Sequence, residues 1–415
     1  MKLNNLLKKT LFLTFLILLC VNQVYAEDNG SALKILWEKD LVLDTNTNSV
    51  LIASCLNKDG DGIIVMTRES PKGTVPIQTG DCVIWDVSAD GNTIRTLPKD
   101  GNESKIQTGA EPIGPGCAIA SDSFGNLLTV GILSKQKDEK RQKVAIVSKA
   151  DKAEKIMSHR NSIETHSAIK MIPSRDNTFV LVGDRNSDGL CMRIDNQGNV
   201  LEEKLFDTGQ IDIFSDVDQT KSDSSNLAIV GLSFKNEGAA GMSGKNFILL
   251  YDPNFKTIHE DLFMGWKSVP MLSLVMLRPK VCCLDNGNIV VLYSKENTDP
   301  NDLKTQLWTK CYTRELELLW EKEVFTADKT PFTFDIVSSG PGGFVVGIVL
   351  QLDGLELYSF DRNGIKKDYV QYKNMVGPAG FNLMNVKNKT IAVFEWGTEG
   401  NIKKCSMKAR VIALD

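Results

Sequence analysis

The chain has 415 residues, with 48 Lys and Arg against 52 Asp and Glu and a formal net charge of −4. That mildly acidic balance argues against a nucleic-acid backbone or an anionic lipid surface as partner. A chain this long exceeds what one ordinary hydrophobic core spans, so it is either two domains or one repeat array.

Residues 1–26 carry the pattern of a secretory signal. Lys2, Lys8 and Lys9 precede an apolar run over 10–21, and Val24-Tyr25-Ala26 places small residues at a cleavage site ahead of Glu27. The run is too short for a membrane span, and Cys20 follows Leu19 rather than the small residue that lipid attachment requires. The expectation is an exported protein, periplasmic or extracellular, with no membrane span. Its mature chain, 27–415, would form one domain. Eight cysteines remain outside the signal, an even number that permits disulfides in an oxidising compartment.

The next element, over 32–42, contains Leu36-Trp37-Glu38-Lys39-Asp40. The phrase returns as Leu319-Trp320-Glu321-Lys322-Glu323. Between the two copies, helical periodicity is nearly absent. Short apolar, β-branched runs recur instead, at 63–66, 127–131, 179–183, 227–231, 289–292, 344–347 and 391–394, as buried strands do. Most follow turn residues such as Asp285-Asn286-Gly287-Asn288. A further strand then ends at a polar turn, as 191–194 does before Asp195, and a more polar fourth strand follows.

These turns recur on average about every 54 residues, a period that suits the four-stranded blades of a β-propeller. The predicted fold is all-β, with seven antiparallel blades, six or eight being the alternatives. The last unit lacks a fourth strand, and 32–42 is a fourth strand with nothing before it, so the N-terminal strand is expected to close the final blade. Closure of this kind hides edges that would otherwise aggregate.

The stretch 179–206, FVLVGDRNSDGLCMRIDNQGNVLEEKLF, resembles one unit of the secreted bacterial β-propeller repeat proteins, of the WD40-like type. The likeness lies in the strand ending in Val-Gly, the Arg-x-Asp turn and the Gly-Asn-Val entry to the fourth strand. It implies a fold and leaves activity open, because that family is functionally mixed.

Candidate sites are few. Asn57, Asp59 and Asp61, and likewise Asp184, Asn186 and Asp188, occupy alternate positions before a Gly, the spacing of a calcium loop. Neither loop has the closing Glu at its twelfth position, where Arg68 and Asp195 stand instead. Asp, Asn and Gly are also ordinary hairpin-turn residues, so calcium is the one cofactor the sequence admits and none is required. The vicinal pair Cys282-Cys283 is expected to bury one thiol and half-expose the other. The three histidines have no zinc-type spacing. Trp266 and Trp396 fall in or beside loops in this reading, and an exposed Trp there would anchor a sugar or protein partner. The expected function is therefore a non-enzymatic binding or scaffold module acting through loops at one mouth, around 67–81, 237–245 and 295–304. The alternative is a propeller hydrolase or lyase with carboxylates in the central channel.

Overall fold

The computed structural model describes residues 33–42, 47–71, 81–97, 105–106, 118–137, 140–151, 155–163, 167–174, 177–221, 225–238, 242–269, 278–295, 305–327, 331–350, 354–372, 380–397 and 407–415. The first described strand is β1 (Ile35–Leu41). Blade 1 follows with β2 (Thr47–Leu56), β3 (Gly62–Pro71), β4 (Asp81–Ser88) and β5 (Ile94–Leu97), plus a short β6 (Lys105–Ile106) on β4. Blade 2 is β7 (Ala118–Ser121), β8 (Leu127–Lys137), β9 (Lys140–Asp151) and β10 (Lys155–Ile163). Blade 3 is β11 (Ser167–Pro173), β12 (Phe179–Arg185), β13 (Asp188–Ile194) and β14 (Val200–Phe206).

Blade 4 is β15 (Ile211–Gln219), β16 (Leu227–Asn236), β17 (Met242–Tyr251) and β18 (Thr257–Val269). Blade 5 is β19 (Lys280–Cys283), β20 (Ile289–Lys295), β21 (Thr305–Tyr312) and β22 (Leu318–Ala327). Blade 6 is β23 (Pro331–Ser339), β24 (Gly343–Leu350), β25 (Gly354–Phe360) and β26 (Lys366–Tyr372). Blade 7 is β27 (Phe381–Val386), β28 (Lys389–Gly397), β29 (Met407–Leu414) and, returning, β1. Six sheets are thus purely four-stranded and the seventh, blade 1, carries one extra short strand.

The first strands of successive blades contact one another all the way round, β2 to β7, β11, β15, β19, β23, β27 and back to β2. The fold is a closed β-propeller. Strand β1 pairs antiparallel with β29, Leu41 opposite Ala409 and Ile35 opposite Leu414, so the predicted N-terminal closure of the last blade is present. All seven apolar runs lie in second strands. They read as unbroken apolar stretches because each blade is sandwiched between two others and both faces are covered. In β20, for example, Ile289 to Leu292 are all 0% exposed. Fourth strands face outward and are exposed, as in β14, none of whose residues is buried.

The same sandwiching corrects the expectation for the vicinal cysteines: Cys282 and Cys283 are both buried, at 3% and 0% exposure, one against each neighbouring blade. They are free thiols, as are Cys55, Cys191 and Cys311.

The repeated phrase has a packing role that the structure makes plain. In blades 5 and 7 the fourth strand is bulged at the same register, so that Trp320 faces Cys311 and Trp37 faces Ala413. Each indole lies on a turn glycine of the next blade. A Cβ on Gly364 would stand 2.7 Å from the Trp320 ring, and one on Gly91 would stand 2.5 Å from Trp37. Both glycines have positive φ, +70° in each case, so the turn needs glycine for its backbone and for the ring. The Trp37 Nε1–H also donates to the Ala89 carbonyl across the blade boundary at 3.0 Å.

Between blades 3 and 4 a different pair does this work. Arg193 donates to the Pro253 carbonyl and lies 5.0 Å over the Phe255 ring. Phe255 holds, at φ +57°, the turn position that Gly91 and Gly364 take in blades 1 and 6.

Candidate functional site

Antiparallel alternation divides the ring into two ends. One end carries the turns between first and second strands and between third and fourth. These are tight and self-capped: the Asp195, Asp252 and Asp361 carboxylates each accept two backbone N–H groups of their own turn, at 2.8–2.9 Å. Such bonds hold the Asp195 and Asp361 carboxyls below the usual range. For Asp195 they do so against burial, the largest single influence, which acts in the opposite direction. The other end carries the second-to-third connections and the links between blades. The three loops at 67–81, 237–245 and 295–304 all belong to this second end, because each joins a second strand to a third. Their tips, at 72–80, 239–241 and 296–304, lie outside the described residues.

The two tryptophans expected in or beside loops lie near strand ends. Trp266 lies in β18 opposite Gly244, and Trp396 in β28 opposite Lys408. Both stand near the strand ends that face the second mouth, and their side chains lie outside the described residues.

The calcium-type segments are hairpin turns. In the first, the Asn57 amide donates to Asp61 at 2.9 Å while Asn57 Oδ1 accepts the Asp61 N–H, and Lys387 lies 3.5 Å from the Asp61 carboxylate. Asp59 sits at the exposed tip. In the second, Asn186 and Ser187 both have positive φ, forming a two-residue turn. This sets Asp184 opposite Gly189 and Arg185 opposite Asp188. Among the described residues no three His, Cys, Asp or Glu side chains gather around a metal-sized space.

What the sequence reading did not single out is a charged belt on the innermost strands. Counting back four residues from the residue that opens each first turn gives Ala53, Ala118, Lys170, Asp216 and Lys280 in blades 1 to 5. Asp335 takes the matching place in blade 6, as its bonds show. Asn382, one residue before the Leu383 N–H that Asp335 holds, takes it in blade 7, so the axis is uncharged on one side and alternates Lys, Asp, Lys, Asp on the other.

The carboxylates bridge blades. Asp216 accepts the Val217 N–H and, across the boundary, the Val281 N–H at 3.0 Å. Asp335 accepts the Ile336 N–H and the Leu383 N–H of blade 7 at 2.8 Å. Asp218, one layer further along, accepts those of Gln219 and Cys283. Glu395 of blade 7 accepts the Leu51 N–H of blade 1 at 3.1 Å. First strands of adjacent blades share no ladder, so their inward N–H groups need such acceptors.

Lys170 completes the belt, 2.7 Å from Asp216, which is itself fully buried. Lys170 is 37% exposed, so water reaches the axis. Burial alone would depress the Lys170 ammonium, but the Asp216 and Asp335 carboxylates outweigh it and hold its pKa up. Burial raises the Asp335 and Asp218 carboxyls, against the pull of Lys280 and Lys170 on the first and of the Cys283 N–H on the second. Burial also pushes the Cys55 and Cys311 thiols up to about 12 and those of Cys282 and Cys283 well above the ordinary value. None of these is a thiolate nucleophile near neutral pH.

Solved structures similar in fold include the polysaccharide lyase Uly1, at 10% sequence identity and a TM-score of 0.52 over 95% of this chain and 94% of that one. The Dos1 propeller is similar at 11% identity and a TM-score of 0.48, over 93% and 96% of the two chains. Virginiamycin B lyase from Staphylococcus aureus, with quinupristin, is similar at 12% and 0.44, over 90% and 98%. At such identities the likeness is one of fold alone. No protein-family model matches the sequence, and no curated protein matches it either.

Proposed function

We propose that this chain is an exported, non-enzymatic binding or scaffold module, kin to the secreted bacterial propeller repeat proteins. In this reading residues 1–26 are removed, and 27–415 recognise a protein or carbohydrate partner through the mouth that carries the long connections. The observation that carries this reading is the use made of the axial carboxylates. Asp216, Asp218 and Asp335 each have both oxygens on backbone N–H groups of two blades, an arrangement that holds a ring together. A general acid or base keeps an oxygen for its substrate. The expected loops, and the strands bearing Trp266 and Trp396, all end at that one mouth, which gives a partner a broad surface.

One observation favours the enzymatic alternative, a hydrolase or lyase: Lys170 is ion-paired yet open to water. Both readings are tested on the exported protein with a glycan array, together with assays for reducing ends and for unsaturated products from acidic and neutral polysaccharides. Binding without turnover is the expected result. Turnover that disappears in Lys170→Met would replace the binding reading with the enzymatic one. N-terminal sequencing of the exported protein should begin at Glu27.

A further inference from the structure

Arg278 and Lys280 flank Pro279 at the start of blade 5's innermost run. Three side-chain rungs fix this backbone to blade 4. Ser215 Oγ donates to the Pro279 carbonyl at 2.8 Å, the Val281 N–H donates to Asp216 at 3.0 Å, and the Cys283 N–H donates to Asp218 at 2.7 Å. The segment is therefore held rigidly where the axis opens toward the long-connection mouth.

Lys280 begins β19, and Arg278 precedes it by two residues. The Lys280 charge is felt by Asp335 of blade 6, and that of Arg278 by Asp184 at the end of β12 in blade 3. Among the described residues, neither side chain makes a hydrogen bond or an ion pair, although both are only half exposed. Both oxygens of Asp216 and of Asp335 already accept backbone N–H groups, and Asp216 is ion-paired to Lys170 as well. Burial lowers the Arg278 guanidinium below its ordinary value, and Asp184 offsets only part of that. A half-buried guanidinium with no acceptor among the described residues is costly, and a ligand that supplies one is correspondingly favoured.

We propose that the long-connection mouth of the axis binds a carboxylate-bearing ligand, gripped by the Arg278 fork with the Lys280 ammonium beside it. The inference rests on the reading of that mouth as a recognition surface and adds the chemistry recognised there. The planar guanidinium matches the two oxygens of a carboxylate. A single negative charge suits the site better than a dianion, because Asp184 and Asp335 contribute negative potential around the two cations. The carboxylate can come from a peptide C-terminus or from a sugar acid.

The test is a titration of the exported protein with N-acetylglycine, glucuronate and inorganic phosphate, followed by calorimetry and by the Arg278 Nε–H resonance. One of the two carboxylates should bind at least as tightly as phosphate and shift that resonance. Arg278→Gln should weaken binding about tenfold to a hundredfold, as loss of a charged hydrogen-bond pair does. Arg278→Lys should weaken it less, and Lys280→Met by several-fold. Should Arg278→Gln fail to fold, the resonance of the unaltered protein still decides. Absence of carboxylate binding, tighter binding of phosphate, or unchanged binding in a folded Arg278→Gln would overturn the proposal. A glycan or protein partner still captured in that case would leave the recognition reading standing, and its loss as well would remove both.

Discussion

Successive blades touch at two radii, and the chemistry differs between them. Toward the rim, Trp37 and Trp320 lie flat on Gly91 and Gly364 of the next blade, and Arg193 covers Phe255. At the axis the contacts are carboxylates on backbone N–H groups, with Lys170 and Lys280 set between them. Apolar area accumulates where blades are broad, so the outer contacts carry most of the cohesion. Inner strands are narrow and have an unpaired edge, so polar groups must be supplied there, and a site built at the axis inherits charge from that need.

The harshest way to break the comparison is to delete 27–41. Blade 7 then loses its fourth strand and blade 1 loses Trp37, and β29 becomes an open edge. Size-exclusion chromatography should show aggregation, with no single thermal transition. Next in size, Trp320→Ala should cost about 3 kcal/mol, the low end for large aromatic truncation because the ring is only partly buried. Urea unfolding measures this. Asp216→Ala should cost about 2–3 kcal/mol, reduced from the value for a fully buried pair because Lys170 is partly in water. An axial loss larger than the rim loss would reverse this division between the two radii.

A sharper comparison sets two turn positions against each other. Gly364→Ala should destabilise by about 1–2 kcal/mol, through left-handed strain and the clash with Trp320. Phe255→Gly relieves the same kind of strain, yet should also destabilise, because Phe255 is 3% exposed and carries the Arg193 contact.

The smallest effect is in the response to pH. Asp218 and Asp335 have raised folded-state values. The folded state therefore binds their protons more tightly than the unfolded state, where an Asp titrates near about 3.9. Between that value and the raised ones, stability should fall as pH rises. The turn acids Asp195 and Asp361 are lowered, so their contribution is present above about 3.9 and is lost as pH falls through their folded values. Carbon-detected carboxyl titrations should separate the two groups by sign, and Asp335→Asn should flatten the upper slope.

The parts of this architecture that were legible in the sequence are those set by burial on both faces or by turn chemistry. The run 289–292 could be nothing but a covered strand, and the Asp195 turn marks its own position. The ring closure was legible because Trp37 and Trp320 do the same job and so occur in the same phrase. The innermost strands were not legible. Ile169-Lys170-Met171 and Ser215-Asp216-Val217-Asp218 neither alternate nor run apolar, because their charges are satisfied by the next blade rather than by their own. The blade 3 to blade 4 contact was hidden for a related reason: Arg193 and Phe255 replace Trp and Gly with no residue in common. Asp184 stands out in the sequence as a calcium-loop position, and its negative charge also acts on Arg278, an influence that no local motif shows.

The pairing of β1 with β29 joins residues from the two extremes of the chain. Contacts so distant in sequence make for slow folding, and this pair has a fixed order built in: β1 is synthesised long before the strand it pairs with. Until then the β1 residues have no sheet to join, and the nascent chain stays an open arc. Refolding should therefore end in a slow phase reported by Trp37 fluorescence as it meets Gly91, and a ribosome-bound chain arrested before β29 should lack that phase.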